Sequence, residues 1–158
     1  MLWGGSMIIK IKPTFYHKSI MLFNGREKQT NKLVEEMIEL KEALRDGDRE
    51  YIVEELSDVE LCLPYLQLSY LSGVKLEIKN SGKQEYDFTC DTMIRMIHLY
   101  RKSGQNFSIF KGLSGIAQFY CTCLYSIYAD YGISIDEVEQ VKKVKMIRTS
   151  SRLIKGEL

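Results

Sequence analysis

Two short stretches, "EEMIE" (residues 35–39) and "VEELSDVE" (53–60), set carboxylates three residues apart twice over: Glu36 with Glu39, and Glu55 with Asp58. At that spacing two side chains occupy neighbouring spots on one helical face. Both stretches lie in apolar helical patterns, so each pair borders a buried seam rather than open water. Carboxylates crowded there repel one another and raise each other's pKa values unless a cation neutralises them. No Lys or Arg occurs between Glu50 and Val74 to do this from the second stretch. An all-oxygen donor set without His or Cys selects hard cations, Mg²⁺ above all, with Mn²⁺ a substitute. Mg²⁺ keeps several waters and is commonly shared with substrate phosphates, which points to phosphate-ester or anhydride chemistry.

The elements that must position these acids follow from periodicity. From about 26 to 46 the apolar residues Leu33, Met37, Leu40 and Leu44 step by 4, 3 and 4, an amphipathic helix. Gly47 suits its C-terminal turn and Asp48 the N-cap of the next helix. That helix, about 49 to 72, aligns Ile52, Leu56, Val59, Leu63 and Leu66, with Pro64 freeing the carbonyl of Glu60 and bending the axis. Counted from the turn, Glu39 lies about 12 Å and Glu36 about 16 Å along the first helix. Glu55 lies about 10 Å and Asp58 about 15 Å along the second. An antiparallel hairpin therefore levels Glu39 with Glu55, and Glu36 with Asp58.

Further helices are expected at about 87–103, 112–131 and 135–153, the last capped by Ser134 or Asp136. The fold class expected is all-α: an antiparallel bundle of about five helices, with residues 25–158 as a single domain. Residues 1–24 read as irregular apart from a short strand in "MIIKIK", which Pro13 stops. The "GGS" ahead of Met7 is either native or an appended leader, in which case Met7 is the natural start.

Composition narrows the classes. With 158 residues, a net charge of +1 and 45% hydrophobic residues, the chain lacks the basic excess of a broad nucleic-acid surface, so neither DNA nor RNA is expected as a partner. No apolar run reaches the roughly 20 residues needed to span a bilayer, so no membrane partner is expected either. Four cysteines (Cys62, Cys90, Cys121, Cys123) form no C-x-x-C pair and lie in apolar helical stretches, which suits free thiols in the reducing cytoplasm. The two histidines, His17 and His98, lack partners at ligand spacing, which argues against zinc.

A faint repeat runs at an offset of 57. "EELSDVE" (54–60) matches "KGLSGIA" (111–117), and Gly47 matches Gly104. If these are two related helical hairpins, the second has lost every matching acid.

On these residues the chain resembles the MazG-like, all-α nucleoside triphosphate pyrophosphohydrolase superfamily, which includes the dimeric all-α dUTPases. The resemblance is carried by "KLVEEMIELKEAL…EYIVEELSDVELCL", an E-x-x-E followed by an E-x-x-D, and covers residues 32 to 66. It implies Mg²⁺ held by Glu36, Glu39, Glu55 and Asp58, and hydrolysis of an NTP or dNTP to the monophosphate and pyrophosphate. Glu36 or Glu39 would orient or deprotonate the water. "YGISIDEVEQVKKVKMIRTSSR" is similar in outline to the family's last helix, which implies phosphate contacts from Lys143 and Arg148; Met146 stands where the family has asparagine. Tyr100, Phe119 and Tyr120 are candidates for a wall beside the base. The resemblance also implies a homodimer or homotetramer. The alternative reading is a catalytically idle helical module that senses a nucleotide or binds a partner protein.

Overall fold

The computed structural model describes residues 7–83 and 85–157; residues 1–6, with the question of a leader, lie outside it. Among the described residues the chain forms β1 (Ile8–Ile11), α1 (Phe15–Asn24), α2 (Arg26–Asp46), α3 (Arg49–Ser69), β2 (Leu76–Lys79), α4 (Tyr86–Lys102), α5 (Phe107–Tyr131) and α6 (Ile135–Ile154). The class is all-α, with one short ribbon added. Among the described residues no helix is long and apolar enough to cross a membrane.

The chain divides into two compact units. One unit joins the N-terminal strand to Tyr70–Gly132. In it β1 pairs antiparallel with β2, Ile8 opposite Lys79 and Ile11 opposite Leu76. The Gln118 side chain on α5 grips this ribbon, donating to the carbonyl of Glu77 at 2.7 Å. Asn106 starts α5 five residues earlier than the apolar pattern suggested, because its side chain accepts from Ser108 N–H at 2.9 Å.

The other unit holds α1, α2, α3 and α6. Its core is the seam between α2 and α3, where Leu33, Met37, Leu40 and Ala43 meet Ile52, Leu56, Val59 and Leu63, all with no solvent exposure. At about 1.5–3 kcal/mol for each large aliphatic buried, this seam holds the hairpin together.

Residues 15–24, expected to be irregular, form a helix. Its start is set by Thr14, whose N–H donates to His17 Nδ1 at 3.1 Å. The opposite ring nitrogen, Nε2, donates to the carbonyl of Leu61 at 3.0 Å, beside Pro64 in α3. A carbonyl only accepts, so Nε2 carries the proton and Nδ1 is the acceptor. Burial, with Lys142 nearby adding to it, lowers the His17 pKa to about 4.

Candidate functional site

The site grows from the turn between α2 and α3. Gly47 adopts φ 73°, the left-handed conformation that a side chain disfavours, and its N–H closes α2 on Ala43 at 3.0 Å. Asp48 opens α3 by accepting from Glu50 N–H at 3.1 Å. With both ends pinned and the seam packed, the register is fixed. Glu39 lies within hydrogen-bonding reach of Glu55, and Glu36 of Asp58.

Glu36, Glu39 and Glu55 can each bring one oxygen within 4.8 Å of the others. Glu36 and Glu55 are 3% and 7% exposed, and Glu36 Oε2 and Glu55 Oε2 are buried with no hydrogen-bond partner. Burial, then the charges of Asp58, Glu36 and Glu39, push the Glu55 carboxyl up to about 8. At neutral pH this group therefore keeps its proton. Burial also raises Asp58, against the pull of Lys145. Two orphaned buried oxygens in an all-oxygen cluster are what a hard divalent cation would satisfy, so these residues fit one.

The neutralising cations come from outside α3. Lys32, one turn before Glu36 on α2, reaches its Oε1 at 2.9 Å. Lys145 on α6 reaches Asp58 at 2.6 Å and Glu54 at 3.3 Å. Asp58, within reach of Glu36, is also paired with Lys145 and is not among the three acids whose oxygens lie together. Neither lysine was singled out from sequence, although Lys32 carried a signal in its i,i+4 spacing from Glu36.

Glu36 and Asp58 face a hollow of about 990 Å³ shared with Lys32, Lys145, Arg148 and Arg152, with Tyr16, Ile20 and Tyr65 as its less polar side; Glu39 and Glu55 lie behind Glu36 and do not line it. Arg148 is therefore beside the acids. Lys143 is not; it lines a separate groove on the other side of α6, because two residues along a helix turn the side chain by about 200°. Tyr100, Phe119 and Tyr120 belong to the ribbon unit. There Tyr120 is fully buried and shares a hydrogen bond of 2.6 Å with Tyr86. Cys62 reaches the hollow, but burial pushes its thiol far up, so it offers no thiolate nucleophile.

In the ribbon unit, the residues at an offset of 57 from Glu36, Glu39, Glu55 and Asp58 are Met93, Met96, Gly112 and Gly115. The Met96 Cε fills the space where a Gly112 Cβ would begin, 2.6 Å from it. The cross-helix pairing of Glu39 with Glu55 thus reappears as Met96 on Gly112.

No protein-family model matches the chain, and neither a curated protein nor a solved structure gives a significant match.

Proposed function

We propose that the chain is a Mg²⁺-dependent pyrophosphohydrolase that converts a nucleoside triphosphate to the monophosphate and pyrophosphate. The observation that carries this reading is the pair of buried, unpartnered oxygens, Glu36 Oε2 and Glu55 Oε2, inside an all-oxygen donor set. A hydrophobic seam gains nothing from them, and each costs roughly 1–3 kcal/mol if left unsatisfied. Glu36, Glu39 and Glu55 would hold the ion, with Asp58 at their edge. When bound, Mg²⁺ would neutralise phosphate oxygens and lower the pKa of a coordinated water.

The chain's own groups do the rest. Glu39 is the less buried of the α2 pair and has no lysine on it among the contacts above, so it orients the attacking water and takes its proton. Attack at the α-phosphorus breaks the α–β anhydride bond, and the electron pair leaves with pyrophosphate. Lys145 and Arg148, on the wall of the same hollow, offset charge on that leaving group. Tyr16 and Tyr65 give the base a flat apolar wall.

The test is pyrophosphate release over the common NTPs and dNTPs with Mg²⁺ or Mn²⁺. Turnover of at least one nucleotide, abolished by excess chelator, is expected. Turnover of none, or full turnover in chelator, refutes the reading.

A further inference from the structure

The acidic cluster has one edge on the hollow, and two ammonium groups already hold it. Glu36 and Asp58 lie within hydrogen-bonding reach of each other, and both line the hollow together with Lys32 and Lys145. Glu36 divides its oxygens. Oε1 accepts from Lys32 at 2.9 Å, and Oε2 is buried without a partner. Asp58 Oδ1 accepts from Lys145 at 2.6 Å. Glu55 Oε2, also buried and unpartnered, belongs to the three-acid group with Glu36 and Glu39. The unsatisfied oxygens therefore lie on that group, and the edge toward the hollow is satisfied by lysine. An ammonium only donates and brings its own positive charge, so a metal ion coming to this edge must displace it or meet that charge. The two lysines differ in weight. The Lys32 side chain is 52% exposed and that of Lys145 only 18%, so water screens Lys145 far less.

We propose that Lys145, with Lys32 beside it, takes the place of a second divalent ion at the Glu36–Asp58 edge, so that the resting cluster binds one ion and not two. This rests on the metal reading proposed above and adds its stoichiometry. Charge decides it. Glu36, Glu39, Glu55 and Asp58 bring four negative charges when ionised, and two ammonium groups with one divalent ion balance them. A second divalent ion would leave a mostly buried site with two uncompensated positive charges, which burial penalises. Glu35 and Glu54 also touch these lysines, at 3.9 and 3.3 Å, but their side chains are 65% and 59% exposed, so water answers their charge. In two-ion sites the second metal stabilises the leaving oxygen. Here that charge comes from a side chain of α6, which is present at any metal concentration.

The experiment is a Mn²⁺ titration of the full, metal-free chain without nucleotide, with free and bound ion followed by electron paramagnetic resonance. Wild type should bind one Mn²⁺ per chain and give the spectrum of an isolated ion. Lys145→Met should double the count to two per chain, with the spectrum of a coupled pair, because Asp58 is then released toward the hollow. Lys145→Arg, which keeps the positive charge, should stay at one. Asp58→Asn should also stay at one, since the three-acid group is intact. The wild-type count needs no variant, so the test stands even if Lys145→Met fails to fold. Two ions on the wild type or on Lys145→Arg, or one ion on a folded Lys145→Met, overturns this inference and leaves the metal reading standing. A wild type that binds no Mn²⁺ overturns both.

Discussion

Glu55→Gln should stabilise the metal-free protein at pH 8 and leave it nearly unchanged at pH 4, below the ordinary carboxylate value. The folded-state pKa of Glu55 is about 8, against a usual value of 4.5. Between those values the folded state holds a proton that the unfolded state has lost, so stability falls as pH rises. The slope is about −1.4 kcal/mol per pH unit, flattening near pH 8. His17 acts with the opposite sign. Its folded pKa of about 4 lies below the usual 6.5, so its contribution is complete above pH 6.5 and is lost as pH falls toward 4. The two effects oppose each other between about 4.5 and 6.5, and from 6.5 to 8 the acidic cluster acts without His17.

Over that clean window the wild type should lose about 1.5–2 kcal/mol, which for a chain of this size lowers Tm by roughly 3–8 °C. Thermal unfolding in chelator at pH 6.5 and 8, at constant ionic strength, measures it. Glu55→Gln should show no such fall, and saturating Mg²⁺ should return the wild type's loss by binding the folded state. A wild type equally stable at both pH values, or a Gln variant that falls in parallel with it, would refute the claim that buried, mutually repelling carboxylates define this site.

Other outcomes follow from the same geometry. In the Glu55→Gln background the His17 effect should emerge, stability falling by about 1.4 kcal/mol per pH unit from 6.5 toward 4 in acid-side melts. Glu36→Gln and Glu39→Gln should lower kcat by more than the roughly 10–100-fold that loss of an outer-shell partner costs, while Leu56→Ala, on the seam, should cost about 2–5 kcal/mol in denaturant titrations. Arg148→Ala should raise KM more than it lowers kcat, Lys145→Ala should lower kcat, and Lys143→Ala should keep wild-type kinetics; altered kinetics for Lys143→Ala alone would reverse the assignment of α6's faces. Gly115→Ala, in helical backbone with open space around its Cβ, should raise stability by about 1 kcal/mol and leave turnover unchanged.

The α2–α3 hairpin was legible because its two stripes are long and regular and its turn carries a glycine and a capping aspartate. Register then followed by counting. α1 was not legible, since its buried face amounts to His17 and Ile20, too little for a period to show. The inward face of α6 was not legible for a different reason. Ion pairs with α3 orient that helix, and its apolar period points outward. Choosing Lys143 by outline likeness selected a residue two positions from the one that meets Asp58. Tyr100 and Tyr120 were plausible as walls by type alone, yet both are buried in the ribbon unit.

The two hairpins bear on whether the acids serve the fold. Gly47 and Gly104 both take left-handed backbone, with φ 73° and 68°, at the offset of 57. Buried positions correspond across them: Leu33 with Cys90, Glu36 with Met93, Leu40 with Ile97, Ala43 with Tyr100, and Leu56 with Leu113. Met93 is fully buried where Glu36 is 3% exposed. A buried methionine gains about 1.5–3 kcal/mol from leaving water, whereas a buried carboxylate must be paired or give up its charge. The same helical positions therefore pack without acids in one hairpin and at a cost with them in the other. Lys32 and Lys145 relieve part of that cost on the outer side, and Glu36 Oε2 and Glu55 Oε2 keep the remainder. Packing alone gives no reason to retain four carboxylates where two methionines and two glycines suffice, and the proposed metal chemistry does.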